Sequence, residues 1–506
     1  MNHLSRNRVL YAPLAAVSLL ALAASLRLFF LFFVSGADYT GWYQDSFHHW
    51  QIAYYTLHVG LAQNPPRMWD LSGMEYFWGL APTFVEVALL WVFNSTTLLP
   101  FRLFNIIMGS ISVVLVYLIG RKYFDTRAGL LAGVLAATSP TLIEVDSSGM
   151  LEPLGFLCLL LALVFYERRP YWTGVLLAIA SLTHILFWFI SIAVVSSYLI
   201  FERSGTKFVP AILGWATPMI PYFWFMQTRT GDWLYALRWN IFGSVQGAWI
   251  SNVSVPFEDQ LGYRAIALGF LFASAVSAIF ILRRRPRAYP LHVVFLSYVG
   301  LQAIIFGLTA YVVPYIFMGQ LGRVLLDRLF AVAYYYAALL IGLAATRLLD
   351  KIATSPLKLR LPSARIALGV ALVGLLVTLN LSTYPYVMGQ YFAPTYRIPY
   401  VSQTEIANEI VSRYSGGTVV SSLVIVNYRL INRDISYTNI IGSLYIPREN
   451  QTASFTWLRN HNVTWIILDE NTKPILETTS YGPPFQRTQN VFLYRVNQTA
   501  LSSMYT

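Results

Sequence analysis

The sequence predicts an α-helical polytopic membrane protein of roughly 11 spans, followed by a small extracytoplasmic α/β domain. Three observations predict it. Of the 506 residues, 56% are hydrophobic and only 11% charged, too apolar for a soluble chain of this length. Many apolar runs reach the ~20 residues a helix needs to cross a bilayer. These runs end at about residue 383, beyond which polar residues rise and strand-length β-branched segments appear. The formal charge of +12 would suit a nucleic-acid partner in a soluble protein. Here the arginines cluster beside spans, as the positive-inside rule places them in a membrane protein, and no nucleic acid is implied.

Each span is oriented by its basic flanks. Arg6 and Arg8 precede the first span, about 11–34, and put the N-terminus in the cytoplasm. The apolar run from Leu14 to Val34 exceeds a signal-peptide core and lacks a clear cleavage site, so it reads as an anchor. An outer loop of about 60 residues follows, too long for a simple connection. It holds an amphipathic stretch near Phe47–Val59 and an apolar stretch, Phe77–Phe93. The next span, about 101–120, ends at Arg121, Lys122 and Arg127. Those charges are cytoplasmic only if Phe77–Phe93 lies along the surface. The chain returns outward over 128–143 to a polar loop, Glu144–Gly149, then inward over 150–166 to Glu167, Arg168 and Arg169. A hairpin turns outside near Thr183 and His184 and ends at Arg203 and Lys207. A span over 208–227 leads to an outer loop to Gly262, and the following span reaches Arg283, Arg284, Arg285 and Arg287. Another exits near Val313 to an outer stretch with Arg323, Asp327 and Arg328. A span returns to Arg347 and Lys351, and the last, 366–383, leaves the remainder outside. Sequons at Asn94, Asn252, Asn380, Asn450, Asn462 and Asn497 all fall on the outer side or at its boundary.

Residues 384–506 form the second domain in this reading, and 1–383 with their outer loops the first. Ser402–Tyr414 and Gln451–Asn460 have helical patterns; Gly417–Val426, part of Asp434–Tyr445, Val463–Leu468 and Val491–Val496 read as strands. The single cysteine, Cys158, lies in an apolar run and excludes an intrachain disulfide. No glycine-rich phosphate loop, metal-spaced His/Cys cluster or repeat array occurs.

Candidate chemistry collects on the outer face. Asp45 lies in Asp45-Ser46-Phe47-His48-His49-Trp50, just past the first span. A carboxylate there can take a proton from an incoming hydroxyl as general base; it can equally cap the helix that follows. His48 and His49 are interfacial polar groups or ligands of a substrate, and no third residue has metal spacing. Glu144 and Asp146 are solvated loop carboxylates or active ones. Glu152 opens an apolar span, where an ionisable group is costly and functional by default, or serves as an N-terminal helix charge. His184 marks the next outer turn. Arg264, Arg323 and Arg328 can bind a phosphate, or snorkel to the membrane surface. An outer-face reaction on a lipid-linked phosphate would use such a set: a carboxylate for the acceptor, arginines for the departing phosphate, and apolar helix walls for a polyprenyl tail. The acidic residues could bind a divalent metal or work without one, and no other cofactor is indicated.

Three stretches resemble the GT-C superfamily of integral-membrane glycosyltransferases, which use polyprenyl-phosphate sugars. The first is Asp45-Ser46-Phe47-His48-His49-Trp50, similar to that family's acidic first outer loop. The second runs from Leu99-Pro100-Phe101-Arg102 to Tyr117 and then Arg121-Lys122 and Arg127, similar to its arginine-led second span and basic inner loop. The third is Ser139-Pro140, Asp146 and Met150-Leu151-Glu152-Pro153, similar to a second outer loop with a further carboxylate. The nearest branches are the protein O-mannosyltransferases and the lipid A aminoarabinose transferases; Ser46 stands where the former carry Glu. The resemblance implies Asp45 as catalytic base and Glu152 or Asp146 as the second carboxylate. It implies Arg323 or Arg328 at the lipid phosphate, with His48, His49, Arg102, His184 and Arg264 about the substrate. The implied reaction transfers one sugar, mannose or a similar hexose, with inversion, to a protein or glycan acceptor on the outer face of a prokaryotic membrane. Two alternatives compete. An oligosaccharyltransferase would use a lipid-diphosphate donor and carry a Trp-Trp-Asp motif in its outer domain, where this chain has none: Trp465 and Asp469 are four apart. A lipid or sugar transporter would carry charges near mid-span and inverted repeats; here the charges lie mostly at outer boundaries and no repeat occurs.

Overall fold

The computed structural model describes residues 3–41, 45–60, 79–238, 288–299, 331–354, 362–447, 451–469, 486–488, 491–497 and 499. Along the chain the helices are α1 (His3–Phe29, continued as a π-helical turn, Phe30–Ser35), α2 (Asp45–Val59), α3 (Leu80–Val92), α4 (Leu99–Tyr123), α5 (Thr126–Thr138), α6 (Pro140–Ser147) and α7 (Glu152–Phe165). Then come α8 (Pro170–Ser181), α9 (Leu186–Ile200), α10 (Gly205–Thr230), α11 (Tyr289–Val299), α12 (Ala331–Thr354), α13 (Pro362–Leu381), α14 (Tyr384–Tyr391) and α15 (Pro394–Arg413). The last part alternates: β1 (Thr418–Val420), α16 (Val424–Ile431), β2 (Ile440–Ile441), α17 (Gln451–Asn460), β3 (Val463–Asp469), β4 (Gln486–Thr488) and β5 (Val491–Arg495). This is a mostly helical integral-membrane protein with a small C-terminal sheet.

Among the described residues four helical runs are long and apolar enough to cross a membrane: Pro13–Ser35, Leu99–Tyr123, Gly205–Thr230 and Ala331–Lys351. The pair α5–α6 makes a fifth if counted as one span bent by 60°. The bend sits at Ser139-Pro140, because proline has no N–H to continue the α5 ladder but fits the first turn of a new helix. Shorter apolar helices are α3, α7, α9, α11 and the Gly369–Leu381 part of α13. The span expected to reach Arg283 lies outside the described residues, as does the 300–313 part of the span expected to exit near Val313, whose earlier part includes α11.

The chain divides into two compact units. The first comprises 1–36, 76–82 and 102–388. In it α8 lies against α10 with the backbones almost touching: a Cβ on Gly174 would sit 1.9 Å from the Ala211 carbonyl oxygen, and one on Gly214 2.0 Å from that of Tyr171. Small residues are what let membrane helices approach so closely. Asp125 caps α5 by accepting from the Ala128 N–H at 2.9 Å. The Lys122 ammonium donates to the last carbonyls of α7, Leu163 and Val164, at 3.3 Å, where a cation suits the helix dipole.

The second unit comprises 37–75, 83–101 and 389–506, so most of the first outer loop lies in the same unit as the C-terminal residues. Its sheet has the order β2-β1-β3-β5-β4; β1 pairs in parallel with β2 and β3, while β5 is antiparallel to β3 and β4. Strand β3 has apolar side chains on both faces and is covered on both. Trp465 and Ile467 pack with α15 and α16, and Ile466 and Leu468 pack with Phe455 and Leu458 of α17. The strand expected over Gly417–Val426 stops at Val420, because the Ser421 hydroxyl accepts from the Leu423 N–H at 3.2 Å and turns the chain into α16. The strand expected within Asp434–Tyr445 is reduced to Ile440–Ile441.

The sequons differ in setting. Asn94 and Asn462 stand in exposed turns with left-handed φ of 44° and 47°, and Asn497 is exposed. Asn380 lies within α13 and spends its amide N–H groups on the Leu135 carbonyl and the Thr138 hydroxyl, each at 2.9 Å. Asn252 and Asn450 lie outside the described residues.

Candidate functional site

In the first unit, one face of α4 holds the α6–α7 connection. Arg102, Asn105 and Gly109 recur at helical spacing and meet successive parts of it. The Arg102 guanidinium is fully buried. Its Nε donates to the Ser147 carbonyl at 2.6 Å, Nη1 to the Gly36 carbonyl at 2.9 Å, and Nη2 to Ser35 Oγ at 2.9 Å. It thus ties the end of the first span to the end of α6. Asn105 donates to the Met150 carbonyl at 2.6 Å. Gly109 leaves room for a carboxylate: a Cβ there would stand 2.1 Å from Cγ of Asp146. Arg102, expected to bind substrate, donates here to two backbone carbonyls and a serine hydroxyl of its own unit.

Asp146 does not sit in a solvated loop. It lies in the last turn of α6, fully buried, and Arg27 of α1 reaches it with Nε at 2.9 Å and Nη2 at 2.7 Å, both on Oδ2. Arg27 is itself fully enclosed and spends Nη1 on the Ala23 carbonyl at 3.2 Å. Oδ1 of Asp146 has no hydrogen-bond partner among the described residues. Glu144, also expected in the loop, is buried two residues earlier in α6. The expected polar loop is therefore mostly helix, because Pro140 starts a new helix at the residue where the sequence reading had the span continue. Glu152 is the first residue of α7, buried, with Pro153 next to it, a position where a carboxylate complements the helix dipole. His184 lies in the α8–α9 turn, where Nδ1 accepts from the Leu186 N–H at 3.1 Å.

In the second unit Asp45 opens α2, in the first turn where a carboxylate complements the exposed N–H groups. His48 is one turn on; His49 and Trp50 are buried. Burial pushes the His48 imidazole down to about 4, against the upward pull of Asp45. His48 is thus neutral at pH 7. The stretch expected to be amphipathic is buried through Ser46–Tyr55, apart from a half-buried His48, rather than striped. Its cover is α16: Phe47 and Trp50 meet the Tyr428 ring edge-on, with centroids 5.0 and 4.8 Å away. The Asn427 amide donates to Gln51 Oε1 at 3.4 Å.

Two residues without a place in the sequence reading stand out. Arg27 sits in an otherwise apolar span, a signal that an intramembrane charge should always raise. Glu86 lies in the inward stripe of α3, fully buried, and neither carboxyl oxygen has a hydrogen-bond partner among the described residues. Helix α3 has only 13 residues and turns Phe84 and Trp91 outward, as a helix lying along a membrane surface would. Burial pushes the Glu86 carboxyl well above the ordinary carboxylate range. Arg264, Arg323 and Arg328 lie outside the described residues. Among the described residues no three His, Cys, Asp or Glu side chains come together to hold a metal ion.

The family of dolichyl-phosphate-mannose-protein mannosyltransferases matches residues 83–224, which run from α3 into α10 and include the whole Arg102–Glu152 arrangement. ArnT from Cupriavidus metallidurans, bound to undecaprenyl phosphate, superposes with a TM-score of 0.54 at 13% identity, covering 96% of this chain and 98% of that one. Its apo state gives 0.52 at 12% identity, covering 98% and 99%. The Archaeoglobus fulgidus oligosaccharyltransferase in its apo form gives 0.51 at 14% identity, covering 90% of this chain and 70% of that one. No curated protein matches the sequence. The fold is that of the GT-C integral-membrane glycosyltransferases. Within that class the chain is similar to the ArnT and oligosaccharyltransferase folds, and over 83–224 to the mannosyltransferase family in sequence.

Proposed function

We propose that the protein transfers a single sugar, mannose or a similar hexose, from a polyprenyl-phosphate donor to an acceptor hydroxyl on the outer face of the membrane, with inversion. The observation that carries this reading is the mannosyltransferase-family match over 83–224. The fold shared with an ArnT bound to undecaprenyl phosphate supports it at the level of architecture. In the proposed step Asp45 accepts the acceptor's hydroxyl proton as the oxygen attacks the anomeric carbon. The bond from that carbon to the phosphate oxygen breaks, and the polyprenyl phosphate leaves with the electron pair. Arg264, Arg323 and Arg328 are assigned to the phosphate and its growing charge. Glu152 and Asp146 are assigned as the further carboxylates.

The oligosaccharyltransferase reading has the Archaeoglobus fold similarity in its favour. Against it, Trp465 lies in β3 and is buried in the sheet core, so it cannot serve as an exposed peptide-reading tryptophan.

The test is sugar transfer by purified protein in lipid, offered polyprenyl-phosphate mannose and, separately, a diphosphate-linked oligosaccharide. Transfer from the monophosphate is expected, and Asp45→Asn should lower turnover by roughly 10²–10⁴-fold, the usual contribution of a general base. Near wild-type turnover in a folded Asp45→Asn protein rules Asp45 out as the base. Transfer only from the diphosphate donor moves the chain to the oligosaccharyltransferase reading.

A further inference from the structure

The geometry points to Tyr428 of α16 as a positioning residue for Asp45: one side chain of the C-terminal region holds the start, the helix and the end of the first outer loop together. This rests on the reading of Asp45 as the base. The Tyr428 hydroxyl donates to Asp38 Oδ1 at 3.0 Å, at the start of the loop. The same oxygen accepts from the Leu98 N–H at 3.3 Å, at the loop's end. Between these, its ring carries Phe47 and Trp50, the residues that flank His48 and His49 in α2. Tyr428 is 1% exposed, and burial together with the nearby Asp38 pushes its hydroxyl far above the ordinary phenol range. It therefore remains a donor to Asp38 at any working pH.

Its neighbour reinforces the grip. Arg429 Nη1 donates to the other Asp38 oxygen at 2.7 Å, and Nη2 donates to the Tyr400 hydroxyl. Asp38 is thus a structural anchor, with both carboxylate oxygens taken by adjacent residues of one helix. Asp45 opens α2 two residues before Phe47, so its place follows from where the Tyr428 ring holds that helix. Catalytic groups need such support, since a misplacement of about 1 Å can cost 10²-fold in rate.

The experiment uses the full-length protein in lipid, with Tyr428→Phe and Tyr428→Ala, each alone and combined with Asp45→Asn. Tyr428→Phe keeps the ring beneath Phe47 and Trp50 and removes both hydrogen bonds; kcat should fall roughly 5- to 150-fold, from the ordinary net strength of two such bonds. Tyr428→Ala also removes the ring, and kcat should fall by about 10²-fold or more. Added to Asp45→Asn, neither change should cost turnover further, because the residue acts through Asp45. Hydrogen exchange should speed up in 45–59 in both variants, a readout independent of chemistry. Losses that multiply with that of Asp45→Asn overturn the proposal, as does unchanged exchange in 45–59 with Tyr428→Phe. If Asp45→Asn alone retains turnover, it is the function reading that fails, and the exchange result still decides whether Tyr428 holds the loop. If Tyr428→Ala does not fold, Tyr428→Phe alone decides.

Discussion

Removing either partner of the Arg27–Asp146 pair should be among the most damaging single changes this protein can suffer, and removing both together should not. The two side chains are 0% and 1% exposed, joined by two hydrogen bonds at 2.7 and 2.9 Å. Arg27→Met leaves a carboxylate enclosed with one oxygen already lacking a partner among the described residues. Asp146→Leu leaves a guanidinium inside α1 with only the Ala23 carbonyl among the described residues. Breaking a buried pair from one side costs about 3–5 kcal/mol, a change of roughly a hundred- to several-thousand-fold in the folded-to-unfolded ratio. Replacing both partners with apolar groups is commonly neutral or stabilising, so the double variant should recover most of that loss. The assay is the unfolding free energy in lipid bicelles for the two single variants and the double. Singles as stable as wild type to within about 0.5 kcal/mol, the spread of an ordinary surface change, would refute the reasoning. The double variant has a second use. If it is stable but has lost turnover, Asp146 contributes to the chemistry; if turnover survives, the pair is structural only.

Two further outcomes follow from buried titratable groups. His48 titrates at about 4 when folded against an ordinary 6.5, so the folded state is penalised as pH drops from about 6.5 toward 4 and is indifferent above. The unfolding midpoint should be flat from pH 8 to 6.5 and then decline, with a shallower decline in His48→Gln; equal slopes in the two proteins exclude His48 as the cause. Glu86 is shifted the other way, above 4.5, so its penalty grows as pH rises. Glu86→Gln should raise the melting temperature at pH 8 and leave it unchanged near pH 4.5, whereas a lower melting temperature at pH 8 would mean that Glu86 is ionised and paired.

Much of this could be read from periodicity and charge. Basic clusters marked the breaks between helices, Lys122 at the end of α4, Arg168 and Arg169 between α7 and α8, and Arg203 between α9 and α10, and length and β-branching marked β3 and β5. The residues that escaped did so for identifiable reasons. A hydropathy window averages Arg27 into the leucines around it. Arg102, Asn105 and Gly109 carry no shared chemical signature; what unites them is a helix face, and their partners lie 45 and 37 residues away, at Ser147, Met150 and Asp146. Glu144 and Asp146 read as loop because they are acidic, whereas Pro140 made them helix. Tyr428 was one aromatic among many, and nothing local announced that Asp38, 390 residues earlier, was its partner.

Tyr39 and Tyr391 each donate a hydroxyl hydrogen to the other's backbone carbonyl at 2.8 Å, across 352 residues of sequence. The clasp sets an order of events during synthesis. Residues 37–60 are made early, yet the partners that shape them are translated only after most of the apolar helices. At about 5–20 residues per second the loop waits roughly 20–70 s for them. During that interval Phe47, Trp50 and Tyr54 have no α16 to lie against, so the ribosome, rather than the loop's own sequence, decides when Asp45 comes to rest.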